Sequence, residues 1–138
     1  MEFILTKEMK VKVSKEQELQ LSKKEKINTM LKKKDVVAFD IYNKGIVIGF
    51  AMLKEFDKSK FFLWDFAIDL NYQGKGLGTK ALQELFEYMK YNYNCSIITT
   101  TYKIGNDCAK HVYEKIGFIQ TDVVDEDDVH EVNMVLEI

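Results

Sequence analysis

Residues 61 to 89 of the chain read FFLWDFAIDLNYQGKGLGTKALQELFEYM. The first eight, Phe61 to Ile68, are apolar except for Asp65, a composition typical of a strand that is covered on both faces of a sheet. A glycine-rich loop follows, and apolar side chains then recur at helical spacing from Ala81 to about Asn92. This segment is therefore predicted to be a buried strand, a turn and an amphipathic helix.

The segments on either side of this unit supply the rest of a sheet. The sequence Asn43-Lys44-Gly45 predicts a hairpin turn, and Gly117 is a plausible C-terminal cap for a helix over Ala109 to Ile116. The stretch from Glu16 to Lys34 predicts one or two short helices with a weak apolar stripe. Runs rich in β-branched and aromatic residues predict six further strands: Phe3 to Leu5, Val36 to Tyr42, Ile46 to Lys54, Ser96 to Tyr102, Phe118 to Val124 and His130 to Ile138. The order predicts an α/β (α+β) fold with a central mixed sheet.

Length, composition and charge exclude several classes of protein. A chain of 138 residues is sized for one domain, and no apolar run reaches the roughly 18 residues of a membrane helix. We see no secretory signal, so we expect a cytoplasmic protein without a membrane partner. The two cysteines and two histidines lack metal-ligand spacing, so no metal site is predicted. All 20 basic residues are lysines and the net charge is -2, which disfavours a nucleic-acid partner.

The glycines at positions 74, 76 and 78 carry the chemistry. Without Cβ atoms they let the backbone approach an oxyanion, and the N–H groups at the start of the following helix favour negative charge. The loop is therefore predicted to hold a phosphate or pyrophosphate. Its spacing differs from the dinucleotide pattern GxGxxG, and no GxxxxGK[ST] motif occurs.

Two blocks of sequence resemble the GNAT superfamily of acetyl-CoA-dependent N-acetyltransferases. Gln73, Gly76 and Gly78 fill the family pattern Gln or Arg-x-x-Gly-x-Gly or Ala. Downstream, Asn106-Asp107-Cys108-Ala109 and Tyr113-Glu114-Lys115-Ile116-Gly117-Phe118 are similar to the second block. The resemblance covers about Val36 to Ile138, although Leu70 replaces a common proline and Gln73 the usual arginine.

The resemblance implies a single acyl-CoA N-acyltransferase domain over residues 1–138, with a mostly antiparallel sheet in which two parallel strands splay apart around acetyl-CoA. It implies that Asn106 and Tyr113 face this cofactor. It further implies that the pantetheine arm pairs with the backbone of Phe66, Ala67 and Ile68, and that the pyrophosphate rests on the amides of Gln73, Gly74, Lys75, Gly76, Leu77, Gly78 and Thr79.

Acetyl transfer to an amine needs a group that protonates the departing thiolate and a group that accepts the amine proton. Tyr113 suits the first task because a phenol keeps its proton at neutral pH, although a core aromatic would explain it too. Asp65 is the candidate base, since burial would raise its pKa; water is the alternative. Strand alternation predicts that Asp65 lies on the face opposite Trp64 and Phe66.

Within the superfamily, the chain looks most similar to bacterial spermine and spermidine acetyltransferases, so a small-molecule amine, and a polyamine above all, is the expected acceptor. A polycation also suits the acidic residues Asp122, Asp125 to Asp128 and Glu131, which otherwise form a solvated turn. Two alternatives stay open: a protein N-terminal or lysine acetyltransferase, and a non-catalytic acyl-CoA-binding module. The family resemblance also makes a homodimer possible.

Overall fold

A computed structural model describes all residues from Met1 to Ile138. The chain forms seven strands and four α-helices, in the order β1 (Glu2–Leu5), α1 (Lys15–Gln20), α2 (Lys24–Met30), β2 (Val36–Asn43), β3 (Ile46–Asp57), β4 (Lys60–Ile68), α3 (Leu77–Tyr93), β5 (Ile97–Lys103), α4 (Asp107–Ile116), β6 (Ile119–Glu126) and β7 (Val129–Glu137), with a short 3₁₀ turn at Leu70–Tyr72. All the elements predicted from the sequence are present. None of the helices combines the length and apolar content that crossing a bilayer requires.

One sheet contains all seven strands, in the order β1-β2-β3-β4-β5-β7-β6. Only β4 and β5 run parallel, and every other neighbouring pair is antiparallel. The predicted hairpin joins β2 to β3 through Lys44 and Gly45, which both have positive φ, as a two-residue turn of type I′ requires. The predicted mixed α/β class is confirmed.

Two apolar clusters pack on opposite faces of the sheet. On one face, Leu82, Leu85 and Met89 of α3 are fully buried against strand residues, and α4 packs beside them. On the other face, Val11 and the α2 side chains of Ile27 and Met30 cover residues of β2, β3 and β4. The N-terminal segment therefore covers only the β2–β4 half of its face.

Strand β4 contains a β-bulge that the sequence did not reveal. Met52 of β3 is opposite Asp65, but the next residue, Leu53, is opposite Leu63, so Trp64 is the extra residue. Trp64 packs on the N-terminal cluster, and Asp65 accepts a hydrogen bond from the N-terminal segment on that same face. The prediction that Asp65 lies opposite Trp64 is therefore wrong, because the bulge breaks strand alternation; Phe66 packs on the other face, as predicted.

The parallel strands separate soon after they pair. Their ladder runs from Lys60 opposite Ile97 to Leu63 opposite Thr100 and ends there. Beyond it, residues 64 to 68 of β4 have no partner on the β5 side. The predicted splaying of the two strands is confirmed, and it opens a gap in the middle of the sheet.

Candidate active site

The loop between β4 and α3 is open to solvent and is held by glycine conformations. Gly74 and Gly76 have φ values of 75° and 73°, in the left-handed region that residues with a Cβ atom rarely adopt. A Cβ atom at either position would meet no other atom within 4 Å, so the glycines serve backbone shape rather than close packing.

The N–H groups of this loop and of the first turn of α3 are unused. No acceptor within the protein bonds to the main-chain N–H of any residue from 73 to 79. Gly76, the N-cap, offers no side chain, and the first turn holds no acidic residue. The positive end of a helix of 17 residues, Leu77–Tyr93, therefore faces solvent with free donors, which is an arrangement suited to an anion.

The turn that precedes this loop is fixed by side chains. The carbonyl oxygen of Ile68 accepts hydrogen bonds from the side-chain amides of Gln73 at 3.0 Å and Gln17 at 2.9 Å. The Asp69 carboxylate accepts from the backbone N–H groups of Asn71 and Lys12. Both hydrogen bonds lower the pKa of Asp69, and the one from Asn71 has the larger effect.

Tyr113 lies on α4 and packs between Tyr102 and Phe118, with ring centroids 6.4 Å and 5.3 Å away. Burial raises the pKa of its hydroxyl, and the charge of Asp65 acts in the same direction, while a hydrogen bond with the Thr100 side chain opposes both. Thr100 is the last residue of β5 that pairs with β4, and its hydroxyl donates to the carbonyl oxygen of Leu63 at 3.2 Å. The phenol of Tyr113 is therefore placed at the point where the two strands part.

Asp65 is a buried carboxylate with one unused oxygen. The residue is only 3% exposed. Its Oδ1 accepts a hydrogen bond from the backbone N–H of Ser22 at 2.8 Å, and its Oδ2 has no hydrogen-bond partner. Burial raises the pKa of Asp65, against the Ser22 hydrogen bond and the charge of Lys26, which lower it. A carboxylate that holds a proton more tightly than usual and has a free oxygen is suited to accept one.

Asn106 begins α4. Its side-chain oxygen caps the helix by accepting from the N–H of Ala109 at 3.2 Å, so this residue has a structural role that the sequence analysis did not assign. Its amide nitrogen makes no hydrogen bond within the protein and stays available. The expected contact of Asn106 with a cofactor stays a prediction.

A pocket of about 480 Å³ lies on the sheet face opposite α3, over the end of the ladder that joins β4 to β5. Threonine hydroxyls, aromatic rings and a single charged side chain form its walls. The lining residues are Lys54, Phe56, Phe62, Trp64, Thr99, Thr100, Thr101, Thr121, Asn133, Met134 and Val135. Asp65 follows Trp64 in the chain, but it is buried and does not line the pocket.

The acidic residues that the sequence groups together are separated in space. Asp125 at the end of β6 pairs with His130 across the β6–β7 hairpin, at 2.5 Å. Asp122 instead accepts hydrogen bonds from Asn133 and Thr121, two residues of the pocket wall. Only Asp122 of this group therefore lies at the pocket.

Sequence reasoning missed three contributors to the site: Gln17, Ser22 and Thr100. Gln17 was detectable in part, because Ser14-x-x-Gln17 is a capping-box pattern and the structure contains that box. Ser22 and Thr100 gave no signal, since their roles depend on which strand residues they meet in the folded chain.

Comparisons with known proteins agree with this geometry. A family model described as the acetyltransferase (GNAT) family matches residues 4–118. A probable spermine N(1)-acetyltransferase from Bacillus subtilis subsp. natto (strain BEST195) and a spermine/spermidine N(1)-acetyltransferase from Bacillus subtilis (strain 168) are each 35% identical over 85 residues, which cover 56% of this chain and 56% of each relative. The match thus spans little more than half the length of these relatives.

Solved structures share the fold. A variant of the spermidine N-acetyltransferase from Vibrio cholerae superposes with a TM-score of 0.71 at 20% identity, over 83% of this chain and 72% of that one. An aminoglycoside acetyltransferase in complex with coenzyme A superposes with a TM-score of 0.67 at 26% identity, over 79% of this chain and 70% of that one.

Proposed function

The chain belongs to the GNAT family of acetyltransferases, and from that premise we propose that it transfers the acetyl group of acetyl-CoA directly to the primary amine of a small molecule. The observation that carries this proposal is the row of unused N–H groups at residues 73 to 79, next to the gap between β4 and β5. A loop without a ligand to bind would gain stability from a capping side chain, and this one has none.

The residues present fit a CoA-type cofactor. The free amides of Gln73 to Thr79 would hold the diphosphate. The edge of β4 at Phe66, Ala67 and Ile68, which pairs with no strand on the β5 side, would hold the pantetheine arm through its backbone groups other than the Ile68 carbonyl. When bound, acetyl-CoA supplies an activated acetyl group on a thiol leaving group. The exposed Lys75 adds positive charge on the same loop.

Two side chains at the gap divide the proton transfers. Tyr113 keeps its proton at neutral pH because the ordinary pKa of a phenol is about 10 and burial raises it further, so its hydroxyl has a proton to give to a departing thiolate. Asp65 lies on the other face, next to the pocket residue Trp64, and its unpartnered Oδ2 would accept the proton of the incoming amine. Both remain predicted catalytic residues.

The acceptor that we favour is a polyamine. Both bacterial relatives described above are named for spermine or spermidine, and the pocket beside the gap has room for an aliphatic chain. A cytoplasmic location, a homodimer and a single acyltransferase domain over residues 1–138 stay predictions.

Steady-state release of free CoA from acetyl-CoA tests the function. We expect release with spermidine above the rates with a lysine peptide and an aminoglycoside, and a product heavier by one acetyl group in mass spectrometry. A protein that binds acetyl-CoA but leaves spermidine unmodified would contradict the polyamine assignment. A protein that binds acetyl-CoA and modifies no amine would contradict catalysis and favour a binding module.

A further inference from the structure

Two β-bulges flank the pocket, and each brings an aspartate to its face. In β4 the extra residue is Trp64, beside Asp65. In β6 the register changes between Gln120 and Asp122, so Thr121 is the extra residue there. Thr121 lines the pocket, and Asp122 bonds to it and to Asn133. Bulges redirect side chains in this way at functional sites.

The two carboxylates flank the pocket without lining it. Asp65 follows the lining residue Trp64 at one end, and Asp122 bonds to the lining residues Thr121 and Asn133 at the other. The gap that Asp65 borders lies between β4 and β5, and Asp122 is on β6, two strands beyond β5 in the sheet order. Because neighbouring strands are about 4.8 Å apart, β5 and β6 are about 10 Å apart. Between them the pocket wall consists of Thr99, Thr101 and Val135, which offer methyl groups and hydroxyls to a methylene chain.

The charges around the pocket are distributed unevenly. Lys54 lines the β3 end, and Lys26 of α2 lies over the Trp64 ring, 5.0 Å from its centroid. The Lys54 ammonium is 3.9 Å from the Asp35 carboxylate. Both side chains are partly exposed, so solvent screens this ion pair. A second ammonium group on the substrate would be repelled at this end and attracted by Asp122 at the other.

We propose that the acceptor is a linear diamine or polyamine that lies extended across β5 and β7, with its reacting amine at Asp65 and its distal ammonium on Asp122. Asp122 is thus a substrate-binding residue that selects for a second positive charge at a set distance. This inference rests on the proposed function, and it excludes the hairpin residues Asp127 and Asp128, which neither line the pocket nor bond to its wall.

A series of diamines from diaminopropane to diaminodecane, each matched to the monoamine of the same length, measures this selection. We expect kcat/KM to rise once the second amine reaches Asp122. Asp122→Asn keeps the oxygen that accepts from Asn133 and Thr121 but removes the charge, and should lower kcat/KM for the long diamines and spermidine about tenfold. The values for the monoamines should fall much less, because they carry no second charge for Asp122 to bind.

Asp127→Asn is the matched control, because it removes the same charge from the same hairpin. Asp127→Asn should leave the dependence of kcat/KM on diamine length intact. In the original protein, added salt should weaken the preference for long diamines that Asp122 provides. Equal behaviour of the two variants, or an equal loss for diamines and monoamines in Asp122→Asn, would overturn the role of Asp122 while acetyl transfer stands. Absence of transfer to every amine would overturn the proposed function, and this inference with it.

Discussion

The two parallel strands each lead into a helix at the same edge of the sheet, and the two turns differ in what they do with their N–H groups. Between β5 and α4, Asn106 caps the helix from within the chain. Between β4 and α3, Gly76 provides no cap, and the amides of residues 73 to 79 stay free. The local architecture is the same, so the difference separates a turn whose cap stabilises its helix from a turn whose free N–H groups we propose to bind the cofactor.

The helices that follow also divide the work. α3 offers its N-terminus to an anion and buries its apolar face in the core. α4 has a closed N-terminus and presents Tyr113 at the gap instead. We therefore propose that the loop before α3, the open turn, binds the cofactor and that α4 supplies the proton donor. Each of the following changes tests one side of that division.

The largest effect is expected from Tyr113→Phe, which removes the proposed proton donor from α4. Turnover should fall about 100-fold, because a positioned acid contributes at least that much to proton transfer. The Kd for CoA, measured by calorimetry, should hardly change, since the open turn is untouched. Tyr88→Phe is the control, because Tyr88 packs in the same apolar cluster but lies on α3. This variant should keep its turnover. Unchanged turnover in Tyr113→Phe would remove the acid role.

Gly76→Ala should break the open turn. A Cβ atom meets no neighbour there, but the left-handed φ costs a residue with a Cβ about 1–2 kcal/mol, so the loop would relax and misalign its amides. We expect CoA affinity to fall about tenfold, since each N–H bond to a charged group contributes roughly 1.5–3 kcal/mol. Gly45→Ala has the same backbone penalty, with φ 80° and open space, in the β2–β3 hairpin. Gly45→Ala should lower stability without lowering CoA affinity. Equal CoA affinities in the two variants would contradict the assignment.

Two substitutions at Asn106 separate its cap from its predicted cofactor contact. Asn106→Ala should lower the free energy of unfolding by about 1 kcal/mol, the usual contribution of an N-cap. Asn106→Asp keeps a capping oxygen, so chemical denaturation should find it close to the original protein. Both variants should bind CoA several-fold more weakly if the free amide nitrogen contacts the cofactor, as several-fold is the effect of one hydrogen bond of about 1 kcal/mol. Full affinity in both would leave Asn106 with the cap alone.

The smallest effect is expected in the pH dependence of stability, where Asp65 and Asp69 should act in opposite directions. The pKa of Asp65 is raised from an ordinary value of 3.8, so the folded state binds its proton more tightly. Its contribution to stability therefore falls as the pH rises from 3.8 through the raised pKa. The pKa of Asp69 is lowered from 3.8, so its stabilisation is present above 3.8 and is lost as the pH falls through the lowered value.

Unfolding of Asp65→Asn and Asp69→Asn across acid and neutral pH checks these signs. Relative to the original chain, Asp65→Asn should gain stability at neutral pH, and Asp69→Asn should lose it. Both differences should shrink in acid. A loss at neutral pH for both variants would show that Asp65 is ionised there without a burial penalty.

Patterns of neighbouring residues predicted the glycine-rich turn. Features that depend on strand register or on long-range contacts could not be predicted from such patterns. The glycines at 74 and 76, the hairpin turn and the cap at Gly117 depend on residues adjacent in sequence, so they were found. The bulge at Trp64 depends on how β4 pairs with β3, so strand alternation wrongly placed Trp64 and Asp65 on opposite faces. The bond from Gln17 to Ile68 joins residues 51 positions apart, and no local pattern predicts it.

The open turn itself is tested most directly by titrating nitrogen-15-labelled protein with CoA and following its amide resonances. Hydrogen bonds from residues 73 to 79 to a diphosphate should shift these amide protons downfield and slow their exchange with solvent, while the capped amide of Ala109 changes little. Binding that leaves residues 73 to 79 unmoved, or no binding at all, would contradict the assignment of this turn to the cofactor.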